Sequence, residues 1–116
     1  MASKITPWQE HHGFTICPAT AIDPEIPAAA LGVAVIYTRI GPAEKTYLII
    51  ESRAQSLRAL CQKRLETAQL PPLAELLVAF KTEIIPQPTL TQLDAACRRQ
   101  IVLASTLRRA LRPALR

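Results

Sequence analysis

The 116-residue chain has room for one hydrophobic core, and 49% apolar residues with a net charge of only +5 exclude the disordered class, which combines low hydrophobicity with high net charge. No apolar run reaches the roughly 18 residues that cross a bilayer, and the start, Met1-Ala2-Ser3-Lys4-Ile5-Thr6-Pro7-Trp8, lacks the continuous apolar stretch of a signal peptide, so a cytoplasmic location is expected. Cys17, Cys61 and Cys97 are far apart and never form Cys-x-x-Cys, which fits neither a disulfide framework nor a zinc ribbon.

Pro7, Pro18, Pro24 and Pro27 punctuate residues 1–27 as an irregular segment, in which Gly13-Phe14-Thr15-Ile16-Cys17 is long enough for one short strand. Gly32 to Ile40 is rich in β-branched and aromatic residues and reads as the clearest strand. Gly41 to Lys45 supplies a turn, and Thr46 to Ile50 returns as a second strand in an antiparallel hairpin. Ser52 with Gln55 forms a candidate capping box for a helix whose buried face is Leu57, Leu60, Cys61, Leu65 and Ala68. Pro71-Pro72 ends it and starts a short helix with Leu73, Leu76, Leu77 and Phe80 as its inner face. Lys81 to Ile85 reads as a third strand. Thr89 or Thr91 then caps a long helix with the stripe Leu90, Leu93, Cys97, Ile101, Ala104, Leu107 and Leu111, broken by Pro113.

The expected fold is therefore α/β in the layered α+β sense. It has a small three-stranded mixed sheet containing the antiparallel hairpin, flanked by two main helices and one short helix. The domain spans residues 28–112, after the Pro-rich segment 1–27 and before a basic tail at 113–116.

Charge is distributed unevenly. From Thr89 onward, Arg98, Arg99, Arg108, Arg109, Arg112 and Arg116 face the single acid Asp94, a surplus suited to phosphate, anionic lipid or an acidic protein, or simply to a solvated helix face. Arg53, Arg58, Lys63 and Arg64 add a second basic group. His11-His12 reads as a polar surface pair, because a catalytic zinc needs at least three converging ligands. Neither a metal nor a Gly-rich phosphate loop is expected. Trp8 either folds back over the sheet or anchors a partner protein.

The element order, with these residues at its joints, resembles the GIY-YIG nuclease domain over roughly residues 28–105. Gly32-Val33-Ala34, followed by Val35-Ile36-Tyr37, stands where the family's first triplet lies, and Tyr47-Leu48-Ile49 stands at the second. Leu57-Arg58 resembles the arginine-bearing helix, and Leu93 to Arg99 the segment around the family's metal-binding glutamate. Ala34, Ile49 and Cys97 depart from the pattern, and a neutral thiol is a poor ligand for a hard divalent cation. If activity survives, the resemblance implies Tyr37, Tyr47, Arg58 and Asp94 as the catalytic set, with magnesium or manganese.

The expectation drawn from both readings is a degenerate, non-catalytic module that binds nucleic acid through Arg53, Arg58, Lys63, Arg64, Arg98, Arg99, Arg108 and Arg109 and needs no cofactor. The alternative is a small accessory protein that docks onto an acidic partner, with Trp8 as its anchor.

Overall fold

The computed structural model describes residues 13–40 and 43–115. Strand β1 (Thr15–Pro18) leads through a 3-10 turn into the one-turn helix α1 (Ile22–Glu25), then β2 (Leu31–Ile40) and β3 (Ala43–Glu51). Helix α2 (Leu57–Thr67) follows, then a 3-10 turn (Leu73–Glu75), β4 (Leu76–Glu83) and the long helix α3 (Leu90–Leu111). The α+β class holds, but the sheet has four strands in the order β1-β4-β2-β3, and every neighbouring pair is antiparallel. This corrects the expected three-stranded mixed sheet. Crossing through α2, the chain brings β4 back in the direction of β3, but β2 lies between them, so no parallel neighbours arise. The short Thr15–Pro18 segment then pairs with the outer side of β4.

Two further expectations change. Leu73, Leu76, Leu77 and Phe80 have helical spacing, yet Leu76, Val78 and Phe80 alternate inward along β4, which starts five residues before the expected third strand. Ser52 does not cap a helix. Its amide donates to the Gly32 carbonyl at 2.9 Å and its hydroxyl accepts from the Gly32 amide at 2.8 Å, tying the end of β3 to the start of β2. Ser56 caps α2 instead, accepting from the Ala59 amide. The expected face of that helix is correct: Leu57 and Cys61 are fully buried, and Leu60, Leu65 and Ala68 pack around them.

The period-2 alternation of the strands builds a core on each side of the sheet. Ala34, Ile36, Leu48, Ile50 and Val78 face α1 and α2. Val33, Val35, Tyr37, Ile49 and Ala79 face α3, which contributes Ala104 and Leu107. A Cβ on Gly32 would sit 2.0 Å from the Lys81 carbonyl oxygen, so only glycine lets β2 and β4 approach there.

Thr89, one of the two expected caps, closes the start of α3, in a reciprocal box with Gln92. The C-terminal half of the expected stripe holds, with Ala104 and Leu107 buried, but before it the inner face is Ala96 and Gln100, whereas Leu90 is 86% and Ile101 42% exposed. The small side chains Ala96 and Ala104 bring the helix close to the sheet, and Gln100 finds polar partners there. Arg112 turns the chain out of the helix with φ 48°, and the amides of Ala114 and Leu115 donate to the carbonyls of Thr46 and Tyr47 at 3.0 and 2.8 Å along the edge of β3.

Candidate nucleic-acid interface

The inner stripe of α3 fixes what its other sides present. Arg99 lies on the flank above β4 and meets the Glu83 carboxylate at 2.8 Å. Arg108 lies on the flank above β3, where it reaches Glu51 at 3.3 Å and the Ile49 carbonyl at 3.3 Å. Glu51 Oε2 is buried without a hydrogen-bond partner among the described residues, and the neighbouring Arg108 guanidinium offsets the carboxylate's charge. Arg98 projects outward and pairs with Asp94 one turn earlier at 3.0 Å. Arg109 and Arg112 are exposed and make no ion pair among the described residues. Basic side chains in the last turn also complement the helix dipole, which favours Arg109 there beside the Glu51-paired Arg108.

Arg53 joins this side of the molecule through its backbone. Its φ of 55° places it in the left-handed region, which costs a non-glycine residue about 1–2 kcal/mol. The buried Gln100 amide offsets that strain. Its Oε1 accepts from the Arg53 amide and the Ser52 hydroxyl, and its Nε2 donates to the Arg53 carbonyl at 3.1 Å. The Arg53 side chain is left exposed beside the N-terminal half of α3.

The eight expected nucleic-acid contacts thus divide across the sheet. Arg53, Arg98, Arg99, Arg108 and Arg109 collect on the α3 side. Arg58, Lys63 and Arg64 belong to α2 on the opposite face. Arg58 donates to the Asp23 carbonyl at 2.9 Å, and Gln62 bonds the Asp23 carboxylate, so together they bind α1 to α2.

The four residues of the expected catalytic set are not brought together. Tyr37 is fully buried in the core under α3. Tyr47 packs against the opposite core, with Lys45 over its ring at 5.1 Å. Arg58 is engaged with α1, and Asp94 is paired with Arg98 on the exposed start of α3. Cys97 is half-buried. Among the described residues no group of three or more His, Cys, Asp and Glu side chains is placed to hold a metal ion. Trp8, His11 and His12 lie outside the described residues.

Between β4 and α3 lies a cleft of about 210 Å³, with Val33 and Leu103 at its base and Lys81, Glu83, Arg99 and Gln100 around it. Gln100, Lys81, Glu83 and Arg112 were not among the expected site residues. A glutamine inside the apolar stripe Ala96–Ala104–Leu107 was the one signal in the sequence that pointed to this junction. No helix among the described residues is long and apolar enough to cross a membrane.

Comparison with protein-family models, curated proteins and solved structures finds no match to this chain.

Proposed function

We propose that the chain is a non-catalytic, GIY-YIG-like module that binds nucleic acid by setting the outer side of α3 along the phosphate backbone. The carrying observation is the basic character of α3 and its end: Arg98 and Arg109 share the outer side, Arg99 and Arg108 stand on its two flanks, and Arg112 follows the last turn, with Arg109 and Arg112 lacking a carboxylate partner among the described residues. Arg98 and Arg109 stand about 16 Å apart along the axis at 1.5 Å per residue, far enough to reach separate phosphates of one strand. The Asp94–Arg98 and Glu83–Arg99 pairs are largely exposed, and such pairs are worth about 0.2–1 kcal/mol, so a phosphate readily takes over either arginine. Separation of Tyr37, Tyr47, Arg58 and Asp94 supports binding without cleavage.

The test is a titration of single- and double-stranded oligonucleotides across a salt series, with magnesium and with chelator. The expected result is affinity that falls steeply with salt, without cleavage. Replacing Arg109 and Arg112 by glutamine should flatten the log–log salt slope by about 2, near one unit per lost phosphate contact. Undetectable binding at low salt, or a slope that ignores the double variant, ends the proposal.

A second reading has its own observation. Ile101 and Val102, 42% and 67% exposed, stand between Arg98 and Arg109, a mixture of apolar and basic groups suited to an acidic partner protein. A protein partner lost in the Val102→Asp variant, with no nucleic-acid binding by the native chain, favours it.

A further inference from the structure

The geometry points to the cleft between β4 and α3 as a pocket for one nucleotide, with its base between Leu103 and the Arg99 guanidinium and its phosphate toward Lys81. This inference rests on the nucleic-acid reading above and gives that surface a site that recognises more than charge.

Size is the first argument. Pockets for drug-sized ligands run about 300–1,000 Å³. At about 210 Å³, this cleft suits a single ring system and excludes a folded peptide or a duplex. The second argument is the division of its walls. Leu103, half-buried, offers the apolar surface, with Val33 almost fully buried in the lining, and the Arg99 guanidinium at the rim is a flat cation of the kind on which unstacked bases lie. The third is charge. Lys81 is exposed and makes no ion pair among the described residues, and Arg99 shares Glu83. The cleft therefore carries a net positive charge, increased by Arg53 next to Gln100. Glu83 accepts from Arg99 through Oε2, and its Oε1 takes no hydrogen bond from the described residues, which leaves an acceptor for a base amino group.

Gln100 gives the pocket a fixed wall. Its amide is occupied on both sides by Arg53, so it holds its shape without needing a ligand. A base entering here must leave its stack, so the pocket selects unpaired over duplex strands.

The experiment is methyl and amide NMR of the whole chain with adenosine 5′-monophosphate, inorganic phosphate and a short oligothymidylate in separate titrations. The expected result is saturable movement of the Val33 and Leu103 methyl signals with the mononucleotide and with the oligonucleotide, but not with phosphate. Lys81→Glu should weaken mononucleotide binding at least tenfold, and Leu103→Trp should abolish it by filling the cleft. Since Leu103 is half-buried, the exposed Lys81 keeps the test open if the tryptophan variant does not fold. If the oligonucleotide moves only α3 arginine signals while the mononucleotide leaves both methyls still, the pocket is overturned and the wider reading stands. Equal affinity for inorganic phosphate and the mononucleotide also overturns it, leaving a plain anion site. If none of the three ligands moves a signal, both readings fall.

Discussion

Tyr37 and Tyr47 would face each other across β2 and β3 if the ladder kept its register, but a bulge sends them to opposite sides of the sheet. The pairs Val35 with Ile49 and Ile36 with Leu48 are regular, and then Tyr37 meets Thr46, leaving Tyr47 as the extra residue. A bulge of this kind re-aims a side chain. Tyr37 is consequently 0% exposed beneath α3, while Tyr47 lies half-buried on the other face. Nitration of the native protein should modify Tyr47 and spare Tyr37 until the chain unfolds, as read by mass spectrometry of tryptic peptides. Tyr37→Ala should cost about 3–5 kcal/mol, in the range of large aromatic deletions from a core. Early labelling of Tyr37 would contradict this arrangement.

Gln100 controls a different joint. Replacing it by leucine removes its hydrogen bonds to the Arg53 backbone and leaves a partly buried amide and carbonyl unpaired, at about 1–3 kcal/mol. Urea unfolding should register that loss, and hydrogen exchange should show the Arg53 amide opening faster than its neighbours in β3. Gln100→Glu keeps the acceptor and loses the donor, so its amide should stay protected. An unchanged exchange rate in the leucine variant would mean the clamp does not hold the loop.

Cys61 predicts how stability responds to base. Burial, with a smaller contribution from Cys17 nearby, pushes its thiol from 9.0 up to about 12. The folded state therefore keeps this proton where the unfolded chain has lost it. The resulting stability is complete below about pH 9 and declines as pH rises toward 12, at about 1.4 kcal/mol per pH unit. Cys17, raised to about 11 chiefly by burial, acts in the same direction. Urea unfolding at pH 8 and pH 10 should show a larger loss for the native chain than for Cys61→Ala. Equal losses would mean the thiol is not protected by the fold.

The parts of the fold carried by local chemistry were legible from the sequence. Thr89, expected as the cap together with the alternative Thr91, marks the start of α3, and Leu57, Cys61 and Leu65 mark the inner face of α2, because cap and stripe are both written within a few residues. What depended on distant partners was not legible. Leu73, Leu76, Leu77 and Phe80 satisfy a helical period, and only pairing with β2 and β1 makes their segment a strand. Ser52 resembles a cap until Gly32 takes its hydroxyl, a contact across 20 positions. The same limit applies to the site. The arginines of α3 were visible as a group, but nothing near Arg58 reveals that it holds Asp23, and nothing near Tyr47 reveals the bulge. Ile101 looked as apolar as Leu107. Gln100, polar and one position earlier, occupies the inner face because Arg53 and Ser52 wait there.

The strap formed by Ala114 and Leu115 also bears on the order in which the molecule is assembled. The β2–β3 hairpin can form from residues close in sequence, but its outer edge is covered only after α3 has docked and Arg112 has turned the chain back. Arg108, which reaches the Ile49 carbonyl on that same edge, also arrives with α3. Until then the hairpin presents an unpaired strand, the kind of surface through which partly folded chains associate. The rate at which α3 docks therefore sets how long each folding molecule is open to another copy of itself.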